Sequence, residues 1–432
     1  MRRLLTAILT AACLSFSPDA QAQTKVAGGD ISLLTKYEEH GAKYYDHDGN
    51  AISSVLEYLK SQGWNAMRLR LFVDSENASA EAKGQGVCQD EDYVIALGKR
   101  IKDAGMKLMI DFHYSDTWAD PSNQWTPDRW ASFNDDAEKT AAAVEQYTML
   151  TLSQMADNNV VPDYIQIGNE ISYGMLWGIN STAKYKIDSY HTGTAAWTRF
   201  LSILKGAAQA CRSNCPDAKI IIHSERVADA TALKNFYNQM SAVDYDIIGL
   251  SYYPYFHGSM TTLETALKTL ESGFSDKEIM IVETGYPYAW EVNGSTYDFT
   301  STYPYSDAGQ KAFTDDLITM LSGHEKVTGL FWWFPEANEY GLDWSTNRVT
   351  DGWYNASLVD NRTGRFGSAA SSIRNFLGEE AGIESLSADD SYVKREIFSA
   401  DGIRKDRLSE GLNIIRETSS SGSVRSRKVI AR

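Results

Sequence analysis

Short runs in which apolar and polar residues alternate recur along this chain, separated by longer stretches with helical spacing. The run Tyr164-Ile165-Gln166-Ile167-Gly168-Asn169-Glu170 places Ile165 and Ile167 two apart and stops at Gly168. This predicts a short strand that runs out into an amide and a carboxylate. Similar strands are predicted at residues 29–32, 65–72, 107–113, 218–224, 246–253, 279–283 and 329–333. Helical patterns fall at residues 33–39, 52–62, 90–104, 135–157, 194–211, 263–271 and 308–321. Glycine stops such as Gly63 and Gly105 mark where helices give way to strands.

Eight strands alternating with helices imply right-handed crossovers and a parallel sheet. Eight is also the number that closes a barrel, so the predicted fold class is α/β, a (β/α)8 TIM barrel. A doubly wound open sheet would want a glycine-rich phosphate turn after its first strand, but Gly28-Gly29 lies before it. The barrel is expected to span residues 23–377 and to close with a helix at 368–377. A polar linker at 378–390 then leads to a small β-rich appendage at 391–432. There residues 392–398 and 412–416 are read as strands around an Asp401-Gly402 turn, followed by a Ser-rich patch and a basic end.

The amino terminus changes where the chain is expected to act. Arg2 and Arg3 precede an apolar run and then Ala20-Gln21-Ala22, the layout of a signal peptide over residues 1–22. The apolar run is short for a transmembrane helix. An exported protein is expected, secreted or held at the cell surface or in the periplasm of a Gram-negative bacterium. Beyond the signal remain Cys88, Cys211 and Cys215, an odd count that makes no disulfide framework, although the last two can pair at a helix end. The formal net charge of −16 argues against nucleic acid or an anionic membrane as partner. With 11 Trp and 24 Tyr the chain is rich in flat apolar faces of the kind that stack on sugar rings or fill cores.

Candidate chemistry gathers at strand ends. The fourth and seventh strands finish on Glu170 and Glu283, and strands so numbered face each other across a barrel mouth. Glycoside hydrolysis uses such a pair, one carboxylic acid protonating the leaving oxygen and one carboxylate attacking or stabilising the anomeric carbon. Sequence alone does not divide the two roles. Arg68 and Arg70 would both point into a barrel, where they need carboxylates or substrate as partners. His113, Asp116 and Trp118 follow the third strand as substrate contacts or as a packed loop with a capping Asp. Asn169, Ser251, Tyr253 and Trp333 complete the candidate substrate-binding set. For Trp332, of opposite parity to Trp333, burial among the helices is expected. His113, His223 and His257 could converge as metal ligands, but their spacing is unremarkable, so neither metal nor cofactor is expected.

These residues resemble glycoside hydrolase family 53, the endo-β-1,4-galactanases, from about Gly29 to Leu377. The matching motifs are Met67-Arg68-Leu69-Arg70, the stretch Asp111-Phe112-His113-Tyr114-Ser115-Asp116-Thr117-Trp118-Ala119-Asp120-Pro121, and Gln166-Ile167-Gly168-Asn169-Glu170. They continue with Gly174-Met175-Leu176-Trp177, Gly249-Leu250-Ser251-Tyr252-Tyr253-Pro254 and Val282-Glu283-Thr284-Gly285-Tyr286-Pro287. The loop after strand three is the most specific of them. The resemblance implies Glu170 as acid/base, Glu283 as nucleophile and a β-1,4-galactan substrate. A related retaining barrel enzyme on another β-1,4-glycan, or a non-catalytic glycan-binding barrel, stands as the alternative.

The sequence departs from the family at strand eight. The family commonly continues Tyr-Trp-Glu-Pro, whereas Trp332-Trp333-Phe334-Pro335 stands here, with Glu336 as a candidate replacement for the missing carboxylate. The loop at residues 286–307 has no acidic ligand string, so the structural calcium of bacterial relatives is not expected. The tail resembles C-terminal sorting segments of type IX secretion, which would make an export machinery its partner; a solvated end is the alternative. The enzyme itself is expected to act as a monomer.

Overall fold

The computed structural model describes residues 24–188, 190–378, 392–399, 404–405, 411–419 and 424–431. The expected signal at residues 1–22, nearly all of the expected linker and the expected Asp401-Gly402 turn lie outside them. Eight parallel strands form a closed barrel in sequence order. They are β1 (Val26–Asp30), β2 (Ala66–Leu71), β3 (Lys107–Phe112), β4 (Tyr164–Ile167), β5 (Lys219–Ser224), β6 (Ile247–Tyr252), β7 (Glu278–Thr284) and β8 (Val327–Trp333). All eight strand expectations hold to within a few residues.

Parity along each strand separates two cores. Val26, Ala66, Met109, Tyr164, Ile221, Ile247, Met280, Val282 and Phe331 pack together inside the barrel. The alternate positions, among them Leu69, Ile110, Ile165, Ile222 and Leu330, join the larger core beneath the helices. Helix starts are fixed by side-chain caps: Asp90, Asp136 and Thr194 accept the backbone N–H groups of Tyr93, Lys139 and Trp197.

Three expectations about elements need correction. Between β5 and β6 the structure has a helix, Ala230–Gln239, that the periodicity did not announce. It is short, and its buried face consists of only Ala232, Leu233, Phe236 and Tyr237. The expected closing helix at 368–377 is one α turn, Ala369–Ser372, continued as a 3-10 helix, Ile373–Leu377. In the appendage, strands Tyr392–Ser399 and Gly411–Ser419 pair antiparallel, joined by Arg404–Lys405 at one edge and Val424–Ala431 at the other. The last of these is the basic end, which cross-strand pairing makes a strand despite its poor alternation. Among the described residues no helix is long and apolar enough to cross a membrane.

Candidate active site

The mouth of the barrel is organised by inward side chains one layer above the inner core. Asp30, Arg68, Arg70, Asp111, Gln166, His223 and Ser251 are all fully buried there. Arg68 is the hub. Its Nη1 donates to Asp30 Oδ2 at 2.9 Å and its Nη2 to Asp111 Oδ2 at 2.8 Å and Asn169 Oδ1 at 2.9 Å. The same Nη2 lies 2.9 Å from Glu283 Oε1 as an ion pair. Burying a guanidinium costs several kcal/mol, and this one is offset by three carboxylates. Asp111 is pushed up by burial but held below its ordinary range by Arg68 and His113.

Both candidate catalytic glutamates depend on irregular backbone. Glu170 follows Gly168 (φ +100°) and itself has φ +48°, ψ +52°, a left-handed conformation uncommon for a residue with a side chain. Its N–H donates to His223 Nδ1 at 3.2 Å. Glu283 should face the helices, since Met280 and Val282 point inward. The register between β6 and β7 shifts instead: Leu250 pairs with Ile281, but Ser251 pairs with Glu283. This bulge adds one residue to β7 and turns the Glu283 side chain into the mouth.

A chain of hydrogen bonds then ties the two together. His223 receives the Glu170 N–H on Nδ1, so its proton sits on Nε2, which donates to Ser251 Oγ at 2.8 Å. Burial and the charge of Arg68 push the His223 pKa well down, which keeps the ring neutral. The Ser251 hydroxyl donates to Glu170 Oε1 at 2.6 Å and lies 3.4 Å from Glu283 Oε2. Tyr253 Oη donates to the same Glu283 oxygen at 3.0 Å.

The two carboxyls are therefore neighbours in unequal environments. Burial and the charge of Glu283 raise Glu170 well above its ordinary range. Burial pushes Glu283 up to about 7, against the pull of Arg68. Glu170 has no arginine at hand, so it is the group that holds a proton while Glu283 gives one up.

Above the pair opens a cleft of about 1150 Å³, with Trp118, Asn169, Glu170, Tyr253, Glu283 and Trp333 on its walls. The other candidates stand behind them. Arg70 pairs with Asp30 at 2.8 Å and lies under the rings of Trp118, Trp333 and Phe334 at 4.7, 5.2 and 5.0 Å, where it braces the aromatic wall. His113 bridges Asp111 and the Ala119 N–H. Asp116 accepts from the Asp128 N–H and Asn77, stapling the loop after β3. Trp332 faces outward, its Nε1 donating to Ala356 O.

Phe334, at the position of the family's glutamate, has φ +57° and stacks on Trp333. Glu336 does not take over that place. It is fully buried away from the cleft, and its Oε1 accepts the Leu33 N–H. Asp30 and Asp111 were missed as site residues, although their strand parity was a usable signal. His223, whose sequence spacing suggests at most a metal ligand, instead links the two glutamates through Ser251. Among the described residues no group of three or more His, Cys, Asp or Glu is arranged to hold a metal ion, and Cys88, Cys211 and Cys215 are free thiols.

The family model described as glycosyl hydrolase family 53 matches residues 26–376. The chain belongs to glycosyl hydrolase family 53. It is 31% identical to arabinogalactan endo-β-1,4-galactanase A of Aspergillus niger over 319 residues, covering 71% of this chain and 84% of that protein. The family 53 catalytic domain of Ignisphaera aggregans superposes with a TM-score of 0.69 at 32% identity, covering 83% of this chain and 97% of the other. A structure from a study of two fungal β-1,4-galactanases gives 0.66 at 27% identity, covering 81% and 98%. The family 53 match takes in all eight barrel strands and ends before the four-stranded appendage.

Proposed function

We propose that this family 53 enzyme is an endo-β-1,4-galactanase that cleaves pectic (arabino)galactan with retention of anomeric configuration. Glu170 protonates the leaving oxygen while Glu283 attacks the anomeric carbon; Glu170 then draws the proton from the water that releases the glycosyl-enzyme. The observation that carries the retaining mechanism is the shared Ser251 hydroxyl. Oxygens that both touch one hydroxyl, at 2.6 and 3.4 Å, are closer than the roughly 6.5 Å or more needed to lodge a water for direct displacement. The galactan substrate is supported by the relatives' activity.

The test is to follow reducing ends and the anomeric NMR signals of products from linear galactan, beside mannan, glucan and xylan. Galactan cleavage with initial β products, abolished by Glu283→Ala, is expected. Initial α products would overturn the double displacement, and galactan inertness with turnover of another glycan would move the substrate.

We further propose that residues 1–22 direct export and that the tail serves sorting. Unchanged extracellular yield after deletion of residues 391–432 would refute the role of the tail.

A further inference from the structure

A third glutamate lines the cleft beside the catalytic pair. Glu225 follows β5, next to β4 in the barrel, and is nine-tenths buried. Its Oε1 accepts a short hydrogen bond from Ser172, two residues beyond Glu170, while its Oε2 has no hydrogen-bond partner. The adjacent Arg226 does not pair with it; that guanidinium donates to Tyr173 Oη and lies over the Tyr173 ring at 5.0 Å. Asp120 lines the same region, but its oxygens are occupied by the Ser122 N–H and by Asn123. Glu225 is thus a cleft-lining carboxyl whose Oε2 is enclosed and unpaired and whose Oε1 spends one lone pair on Ser172, a costly state for a buried group unless it holds a proton or a ligand at the cleft completes it.

The barrel order says which ligand. Glu283 on β7 sits beside Trp333 on β8, and Glu170 after β4 sits beside Glu225 after β5. Glu170 addresses the leaving oxygen, so the wall continuing past it faces the sugar that departs. A sugar there offers hydroxyls, which both donate and accept, to a carboxyl that burial pushes up to about 7.

We propose that Glu225 is a specificity-determining residue of the leaving-group half of the cleft, accepting a hydroxyl hydrogen bond from the galactosyl unit released on cleavage. This rests on the galactanase reading.

The test compares linear galactan with 2,4-dinitrophenyl β-1,4-galactobioside, whose leaving group carries no sugar and needs no proton. Glu225→Ala is expected to lose about 10- to 100-fold in kcat/KM on galactan, with a loss of under about threefold on the aryl substrate. Glu225→Gln keeps an acceptor oxygen and should recover part of the galactan rate. With galactobiose added as acceptor, the share of transfer over hydrolysis should fall in Glu225→Ala. Where Glu225→Ala does not fold, Ser172→Ala frees the carboxyl from its anchor and should show the same selective loss in weaker form. Equal losses on both substrates, or none on either, would overturn the assignment. A wild-type enzyme inert on galactan yet active on the aryl galactoside would instead remove the galactanase reading, and this proposal with it.

Discussion

Arg68 Nη2 stands 2.9 Å from Glu283 Oε1, with the arginine wholly out of water. That contact makes the two glutamates different. Burial alone would keep both protonated, and only Glu283 has a cation to oppose it. Asp30 and Asp111 hold the guanidinium in place, so the ion pair belongs to the barrel itself and not to a mobile loop.

Replacing Arg68 with Met removes a positive charge that favours ionised Glu283. The Glu283 pKa should rise and the acid limb of the pH–kcat/KM profile should move to higher pH. Asp30 and Asp111 also lose one of their partners, keeping Arg70 and His113 respectively, so a destabilisation of about 3 kcal/mol is expected in denaturant titrations. An acid limb that stays put would show that Arg68 does not set the charge of the nucleophile.

Tyr253→Phe deletes the hydroxyl that donates to Glu283 Oε2 and leaves the packed ring. A hydrogen bond to a charged group of this kind is worth about tenfold or more in kcat. The melting temperature should change little. Steady-state kinetics with unaltered kcat would mark the hydroxyl as a bystander.

Ser251→Ala removes the donor that lowers the Glu170 pKa. The proposed mechanism requires Glu170 protonated, so its alkaline limb should move up. His223 Nε2 loses its acceptor, and a stability loss of about 1–3 kcal/mol should accompany the shift. A downward movement of that limb would reverse the acid/base assignment.

Glu336 gives the fold a pH dependence separate from catalysis. Burial raises its pKa from 4.5 to about 8. A carboxyl raised on folding contributes stability in full below its unfolded pKa, and that contribution is lost as pH rises through the folded value. Glu336→Gln keeps an acceptor for the Leu33 N–H. The variant should match the wild-type melting temperature near pH 4 and exceed it by several degrees near pH 8. Parallel curves across that range would contradict the buried acid.

Strand alternation in the sequence determined the barrel and much of what points into it. Counting by two from the inner core, through Ala66 to Arg68 and Arg70 or through Ile247 to Ser251, reaches the mouth without coordinates, because a strand's side-chain period is fixed by backbone geometry. It also separated Trp333 from Trp332. What it did not contain was the way the two glutamates reach each other. Val282 faces inward, so by alternation Glu283 should not; an unpaired residue between β6 and β7 reverses it. Glu170 turns into the cleft on a left-handed backbone that Gly168 and the His223 acceptor support. Such bulges and positive φ angles are held by neighbouring strands and distant hydrogen bonds. Only the closed barrel brings those partners together, so only the tertiary structure placed the pair on one hydroxyl.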